Sequence, residues 1–349
     1  MFKPASASAF VELEKRRHAR NDLLSFGIQY LDDALIGISR SDLVLLGAPS
    51  GIGKTQLCCN IALANLSAGR RVHFMALEAE EHEIERRLKY QIIANMYFSD
   101  SERPRLSHHL TYDRWVLGDF LDDLHEYEQR AADFFAKAYE QLNLYYRGDR
   151  FGITELVEEM LIVSGKSDLF IIDHAHYFDF EEGDENRALK DIAKTVRALV
   201  LEEKTPVVLV AHLRKKDRGN EELAPGMDEF MGSSDLVKIA TKVVTIAPGG
   251  RTPDGCFETF FRTPKNRTSG ASNRFIGRVM FDPKRNAYEK SYKVGTSSLT
   301  KRTGFEELDP SLQPEWAKGS GENHMRGGQH TNAEGQSRAT SDSERQISF

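Results

Sequence analysis

Short apolar runs alternate with amphipathic segments along most of this chain. The runs of strand length are residues 42–47, 71–77, 168–173, 206–211 and 242–247. The segments with helical periodicity between them are residues 54–67, 81–96, 153–164 and 185–203. Uninterrupted apolar runs are typical of strands that are buried on both faces of a parallel sheet. The alternation therefore predicts an α/β fold, in which a mostly parallel, twisted sheet is flanked by helices.

The remaining segments define the boundaries that we expect for this domain. Residues 1–22 contain a short amphipathic pattern, which predicts an N-terminal linker helix. The main domain is predicted to span residues 23–295. Residues 296–349 are rich in Gly, Ser, Asn, Gln and Arg, so we predict a low-complexity, disordered tail. Further predicted elements are a long charged helix at 119–143 and closing antiparallel strands at 257–263 and 277–282.

Composition and charge narrow the class of protein. The 349 residues carry 47 Lys and Arg against 53 Asp and Glu, a net charge of -6. Any contact with nucleic acid is therefore expected to be local. No apolar run approaches the roughly 18 residues that cross a bilayer. Three cysteines without metal-ligand spacing fit a reducing compartment, so we expect a soluble, cytoplasmic protein with no membrane partner.

A glycine-rich turn joins the first apolar run to the first helical segment after it. Backbone N–H groups in such a turn, with the positive end of the helix dipole, hold the phosphates of a nucleotide. Lys54 is expected to reach the β and γ phosphates of ATP, and the Thr55 hydroxyl to bind Mg²⁺. The predicted nucleotide-binding residues are Gly47, Ala48, Pro49, Ser50, Gly51, Ile52, Gly53, Lys54, Thr55 and Gln56. The usual spacing puts the first glycine at Ala48, and a chance glycine-rich turn is the alternative.

Two acidic residues follow later apolar runs. Because ligands of open α/β sheets bind beyond the carboxyl ends of the strands, both are expected near the glycine-rich turn. Glu78 follows the run 71–77 and is a candidate base that deprotonates an attacking water. Its alternative role is to cap the next helix. Asp173 ends the run 168–173 and is a candidate ligand of Mg²⁺.

Basic residues follow the next apolar run. His212 comes directly after residues 206–211, where a neutral donor can sense the γ-phosphate, although a histidine at a strand end is more often structural. The loop after it contains Lys215, Lys216 and Arg218. These three residues are candidates for contacts with DNA phosphates, and a solvated surface is the alternative.

A second basic segment, Lys265 to Arg267, follows the predicted strand 257–263. We call it the basic arm. An arginine that reaches the γ-phosphate of a neighbouring subunit stabilises the charge that is transferred. An exposed basic turn explains the same residues, and the spacing alone does not separate these possibilities.

Several segments, taken in order, resemble the ATPase domain of ring-shaped replicative helicases, namely phage primase-helicases, Twinkle and DnaB-type helicases. The matching segments are FGIQYLDDA (26–34), IDHAHY (172–177), TPVVLVAHLRK (205–215), GSS (232–234) and KNR (265–267) with Gly270. The resemblance covers roughly residues 23–290 and implies a RecA-like P-loop NTPase fold. It implies that Lys54 and Thr55 bind phosphate and Mg²⁺, and that Asp173 is the acid that holds Mg²⁺. It also implies that Glu78 is the catalytic base and His212 the γ-phosphate sensor.

The resemblance further implies that Lys265 and Arg267 act on the nucleotide of a neighbouring subunit. Phe281 is expected near the adenine, where an aromatic ring can stack, and a core position is the alternative. The chain departs from many relatives at Met231, where they carry Arg, and at Thr241, where they carry Asp. About 22 residues precede the matching domain, so we expect no priming activity and a separate primase or loader.

We interpret the chain as an ATPase that forms a head-to-tail, hexameric ring, moves along single-stranded or forked DNA and unwinds duplex. Two alternatives stay open. One is a RecA-like repair or recombination ATPase that does not unwind DNA, and the other is a switch whose ATP cycle drives protein assembly. A kinase is disfavoured, because P-loop kinases need neither a base like Glu78 nor the basic arm.

Overall fold

The computed structural model describes residues 9–138, 140–148, 151–179, 185–213, 223–230, 234–268, 274–298 and 304–318. The strands are β1 (Leu43–Ala48), β2 (Val72–Ala76), β3 (Leu142–Tyr146), β4 (Leu169–Asp173), β5 (Val207–His212), β6 (Lys242–Arg251), β7 (Phe257–Asn266), β8 (Ile276–Asp282), β9 (Ala287–Ser297) and β10 (Phe305–Glu307). The helices are α1 (Ala9–His18), α2 (Gln29–Leu35), α3 (Lys54–Ser67), α4 (Glu83–Ser99), α5 (Tyr112–Val116), α6 (His125–Lys137), α7 (Ile153–Ile162), α8 (Glu185–Glu203), α9 (Ser234–Ile239) and α10 (Glu315–Lys318).

One sheet of ten strands organises the domain, in the order β10-β9-β8-β7-β6-β1-β5-β4-β2-β3. The strands from β6 through β3 in this order are parallel, and β7 to β10 add an antiparallel extension beyond β6. The parallel strands all end at one edge of the sheet, which we call the carboxyl edge. Their starting points define the opposite, amino edge.

Hydrophobic cores lie on both faces of the sheet. Val44 and Leu46 of β1 belong to a cluster with residues of α2, α3 and α4. Leu43 and Leu45 belong to a second cluster with residues of α7, α8 and α9. Because side chains alternate along a strand, a fully apolar strand contributes to both cores. This arrangement confirms the predicted α/β fold with a mostly parallel sheet between helices.

The prediction of one helix across 119–143 is wrong. Gly118 and Phe120 have positive φ angles of 89° and 70°, and α6 begins only at His125. Phe120 and Leu124 are buried in the core, so their packing overrides the helical periodicity of the surrounding charged residues. After α6, residues 142–146 form β3, which pairs with β2 at the end of the sheet.

The predicted domain boundary at residue 295 is also wrong, because it falls inside β9. Beyond β9, β10 pairs with it, and the Phe305 ring of β10 is buried 5.5 Å from the Phe260 ring. In α10, the Trp316 ring lies 5.7 Å from the Tyr30 ring. Two aromatic anchors therefore hold a polar segment on the domain. Residues 319–349, the rest of the predicted tail, lie outside the described residues.

The expected N-terminal helix is present as α1. Its apolar side chains Val11 and Leu13 are exposed. Among the described residues, the structure contains no helix that is both long enough and apolar enough to cross a membrane.

Candidate active site

The turn between β1 and α3 has the backbone that its glycines allow. Gly51 and Gly53 have φ angles of 79° and 84°, in the left-handed region that side chains disfavour. Gly53 precedes the first residue of α3, Lys54. The first N–H groups of a helix have no partner within the helix, so this turn presents backbone donors and a positive dipole end.

Gly47 has a different reason to be glycine. A Cβ atom at this position would lie 2.5 Å from the ring of Phe230, which packs over β1. The next residue, Ala48, is fully buried at the end of the strand. Packing on the sheet therefore requires glycine at position 47.

Lys54 and His212 meet at the carboxyl edge. The register of β1 and β5 pairs Ala48 with His212, and Lys54 Nζ lies 3.1 Å from His212 Nδ1 and 3.3 Å from the Pro49 carbonyl oxygen. Since a lysine ammonium can only donate, Nδ1 accepts, and the proton of the neutral ring is on Nε2. Burial and the nearby Lys54 charge lower the pKa of His212 to about 4. His212 is therefore neutral at physiological pH.

Asp173 and Thr55 form the oxygen-rich part of the site. The Thr55 hydroxyl donates a hydrogen bond of 2.6 Å to Asp173 Oδ2. Asp173 is buried, and its Oδ1 has no hydrogen-bond partner among the described residues. Burial raises the pKa of Asp173 to about 6. A buried carboxylate with one oxygen that lacks a partner indicates a place for a cation.

Glu78 lies beside this pair, just beyond β2. The Leu77 N–H donates to the Asp173 carbonyl oxygen at 2.8 Å, which ties the end of β2 to the end of β4. The Glu78 side chain is 47% exposed, with its Oε2 atom 3.0 Å from His174 Nε2. Its Oε1 atom accepts a hydrogen bond of 3.4 Å from the Tyr177 hydroxyl.

Sequence reasoning missed a cluster of three imidazoles, formed by His174, His176 and His212. The rings of His174 and His212 are 4.2 Å apart, and those of His176 and His212 are 5.3 Å apart. His176 Nδ1 accepts a hydrogen bond of 3.5 Å from the His212 N–H. Burial lowers the pKa of His174 to about 3 and also lowers that of His176. The signal in the sequence was a His-x-His pair directly after the buried strand that ends in Asp173.

Two other predicted nucleotide contacts lie on the antiparallel side of the turn. The Gln56 amide exchanges two hydrogen bonds with Asn286, of 2.7 and 2.8 Å, so its side chain faces the turn between β8 and β9. Phe281 is half-buried near the end of β8, with its ring 5.1 Å from the Tyr288 ring. The contact of Gln56 with this turn brings the end of β8 to the same edge as the nucleotide site.

The basic arm lies at the amino edge instead. Asn266 of β7 pairs with Lys242, the first residue of β6, and the Arg267 N–H donates to the Thr241 carbonyl oxygen at 2.9 Å. The Lys265 ammonium donates to the carbonyl oxygens of residues 237 and 238, at the end of α9. The Arg267 side chain is exposed. The structure therefore separates the arm from the Lys54 site by the length of the parallel strands.

Some residues named from the sequence fall outside the described part of the chain. They include the candidate DNA contacts Lys215, Lys216 and Arg218, together with Met231 and Gly270.

The fold and the strand-end site define an α/β protein whose polar residues gather at the carboxyl ends of parallel strands, as in nucleotide-binding proteins. The family model of the DnaB-like helicase C terminal domain matches residues 24–248, more than half of the 349 residues. The chain belongs to this family.

Individual relatives agree with the family. A probable plasmid replicative DNA helicase of Chlamydia muridarum is 26% identical over 313 residues, which are 84% of this chain and 62% of that protein. The replicative DNA helicase DnaB of Helicobacter pylori is 23% identical over 232 residues, which are 64% of this chain and 43% of that protein. The chain thus spans less than two thirds of the length of these curated relatives.

Solved structures show the same fold. One solved ATPase domain superposes with a TM-score of 0.66 at 12% identity, over 83% of this chain and all of that domain. A DnaB-like replicative helicase, studied with its primase interactions, superposes with a TM-score of 0.63 at 13% identity, over 82% of this chain and 67% of that one.

Proposed function

We propose that this protein is the motor of an ATP-dependent replicative DNA helicase, with a RecA-like P-loop ATPase domain. It hydrolyses ATP, moves along single-stranded DNA and unwinds forked duplex. The observation that carries the proposal is the convergence of Lys54, Thr55, Glu78, Asp173 and His212 at one edge of the sheet. These residues supply a phosphate-binding cation, two oxygen ligands, a carboxylate base and a neutral donor, which phosphoryl transfer to water requires.

The oxygen atoms of Thr55 and Asp173 fit Mg²⁺. This ion prefers hard oxygen ligands and is held in nucleotide sites by one or two protein groups besides the phosphates. The Asp173 Oδ1 atom, buried without a hydrogen-bond partner among the described residues, is available for this role. When bound at Thr55 and Asp173, Mg²⁺ would supply positive charge that offsets the charge developing on the phosphates.

In this proposal, the chain's own residues carry out the remaining steps. Lys54 and the first N–H groups of α3 bind the β and γ phosphates of ATP. Glu78 orients the attacking water and accepts its proton. The Nε2–H group of His212 donates a hydrogen bond to the γ-phosphate. When the phosphate leaves after hydrolysis, the His212 ring loses this partner. Phe281 remains a candidate for stacking on the adenine.

The position of the basic arm supports a ring. Arg267 is at the amino edge, so it is well placed to act on another subunit's nucleotide and poorly placed to act on its own. A contact of this kind is heterologous, and a closed heterologous assembly is a ring, which we propose is hexameric. Lys215, Lys216 and Arg218 remain candidates for contacts with DNA phosphates. A separate primase or loader remains a proposed partner.

Two assays on the wild-type protein test this function. We expect ATP hydrolysis that single-stranded DNA stimulates, and unwinding of a forked duplex that requires ATP. Lys54→Ala serves as the control that removes both activities. Stimulated hydrolysis without unwinding would favour a repair or recombination ATPase. Hydrolysis that DNA does not affect would favour an assembly switch, and no hydrolysis at all would refute the proposal.

A further inference from the structure

We propose that His174 is a positioning residue for Glu78 and holds the Glu78 carboxylate over the nucleotide through its Nε2–H group. The inference rests on the proposed function, because it assigns a helper to the catalytic base. It starts from the contact of 3.0 Å between His174 Nε2 and Glu78 Oε2, beside the phosphate-binding turn.

The tautomer of His174 follows from its second ring nitrogen. Nδ1 accepts a hydrogen bond of 3.3 Å from the His176 N–H. A neutral imidazole whose Nδ1 accepts must carry its proton on Nε2. Because both ring nitrogens of a protonated imidazole donate, a ring whose Nδ1 accepts is neutral. His174 therefore directs an N–H donor, with no charge, toward Glu78.

The burial of this donor shows that it needs a partner. The His174 side chain is 1% exposed, and its Nε2 lies close to Glu78 Oε2 without the alignment of a hydrogen bond. A buried donor without an acceptor is destabilising, and in the described part of the chain Glu78 is the nearby acceptor. Catalytic hydrogen bonds are often misaligned before the reacting complex forms and tighten within it. A rotation of the half-exposed Glu78 side chain is enough to align the hydrogen bond from His174 Nε2.

Glu78 in turn needs a partner that fixes the orientation of its side chain. Its side chain is 47% exposed, and a flexible glutamate at a strand end has several rotamers. Its other contact is the longer one with the Tyr177 hydroxyl. A misplacement of about 1 Å in a reacting group costs roughly 100-fold in rate. The rigid, buried imidazole is better suited to fix the carboxylate than the exposed phenol is.

His174 also links the base to the γ-phosphate sensor. Its ring packs edge-on against the His212 ring at 4.2 Å, so one imidazole contacts both groups. A shift of His212 when the phosphate leaves would therefore press on the residue that orients Glu78.

Four variants at two positions test the inference. We expect His174→Phe to lower kcat for DNA-stimulated ATP hydrolysis by about 10- to 100-fold, with the KM for ATP within about threefold. His174→Gln places an amide N–H where Nε2 was and should keep kcat within about threefold. His174→Asn keeps an acceptor for the His176 N–H, but its shorter side chain places no donor at the position of Nε2, so it should behave like His174→Phe. Tyr177→Phe is the matched control and should change kcat less than His174→Phe does.

A second measurement separates positioning from folding. In a Glu78→Gln background, His174→Phe should lower the residual rate no further, because the residue that it positions is already inactive. Equal losses in both backgrounds, or a Gln variant as slow as the Asn variant, would overturn the inference. If His174→Phe does not fold, the comparison of kcat between His174→Gln and His174→Asn tests the inference. A wild-type protein without ATPase activity would refute the proposed function instead, so the two failures are distinguishable.

Discussion

Two buried carboxylates lie at opposite edges of the same parallel sheet, and they have opposite electrostatics. Asp42, before β1 at the amino edge, is 3% exposed, and Asp173, at the end of β4, is 2% exposed. Burial alone raises the pKa of both. At Asp42 the charge of Lys242 and hydrogen bonds from Lys242, Ser39 and Thr241 overcome burial, so the pKa is lowered. At Asp173 the nearby charges and hydrogen bonds do not overcome burial, so the pKa of Asp173 is raised to about 6.

The difference separates a carboxylate that is fully paired within the chain from one that is only partly paired. Asp42 forms an ion pair of 2.7 Å with Lys242, whose ammonium also donates to the Gly37 carbonyl oxygen. The Thr241 hydroxyl donates to Asp42 Oδ1 at 2.7 Å. The Asp42 carboxylate is therefore paired by residues of its own chain. At the carboxyl edge, Asp173 Oδ1 has no hydrogen-bond partner among the described residues, and a cation would satisfy it.

The same contrast between the two edges bears on the proposed role of the basic arm. Arg267 is exposed at the amino edge, while Lys54 is at the carboxyl edge, where we propose that the nucleotide binds. In the proposed head-to-tail ring, the amino edge of one subunit would meet the carboxyl edge of its neighbour.

The largest expected effect is at the arm. Arg267→Ala should lower DNA-stimulated kcat by about 10³- to 10⁵-fold if Arg267 acts as an arginine finger, because the transferred charge loses its partner. ATP binding by each subunit should persist, as measured with a fluorescent nucleotide. The matched control is Arg70→Ala, since Arg70 is also at the amino edge, where it donates to the Asn21 carbonyl oxygen. An equal loss of kcat in both variants would show that the effect comes from positive charge at the amino edge and is not specific to Arg267.

A second prediction sharpens the structural role of the amino edge. Lys242→Met should lower the free energy of unfolding by about 3–5 kcal/mol, because it leaves a buried carboxylate without its counter-ion. Urea denaturation measures this change. Lys293→Met breaks an ion pair with Glu307 whose side chains are 51% and 46% exposed, so it should cost below about 1 kcal/mol.

The pH dependence of the Lys242 effect has a defined sign. The pKa of folded Asp42 is lowered, so its contribution to stability is present above the ordinary carboxyl pKa of about 4 and is lost at lower pH. The deficit of Lys242→Met should therefore shrink in acid. A deficit that does not change with pH would assign the effect to packing.

A third and smaller effect tests the carboxyl edge. Asp173→Asn should stabilise the nucleotide-free protein by up to about 3 kcal/mol at pH 8, because a pKa moved from 3.8 to about 6 disfavours the ionised, folded form. With a raised pKa, the favourable contribution of wild-type Asp173 is complete below about pH 4 and is lost as the pH rises through 6. The advantage of Asn should therefore vanish toward pH 4, as urea titrations at several pH values would show. A destabilised variant at pH 8 would contradict this account.

The parallel core could be predicted from the sequence because its strands are continuous apolar runs. β1, β2, β4 and β5 were each found within one residue of their observed limits. β3 was missed because it is at the end of the sheet, its side chains are mostly half-exposed, and its residues follow a charged helix without a break. β10 and α10 were missed because Phe305 and Trp316 are isolated aromatic residues in a polar segment. The average composition of a segment does not show that a single aromatic residue packs on the domain.

The candidate site was predictable to a similar extent. Lys54, Thr55, Glu78, Asp173 and His212 come at strand ends, so topology alone gathers them. The contacts of His174 depend on a tautomer and on the burial of one ring, which no spacing encodes. The buried pair of Asp42 with Lys242 joins residues 200 positions apart, and its register became visible only in the sheet.

A mixing experiment tests the central claim, that the two edges complete each other between subunits. Lys54→Ala removes the phosphate-binding lysine but keeps a good arm, whereas Arg267→Ala removes the arm but keeps a good turn. Each variant alone should hydrolyse ATP poorly in the presence of single-stranded DNA. Mixed at varied ratios under conditions of subunit exchange, they should recover activity, with a maximum at intermediate ratios, because some interfaces then combine two intact edges. If mixed rings assemble, as shown by mass measurement, and no ratio restores hydrolysis, the claim that Arg267 serves the neighbouring subunit is contradicted.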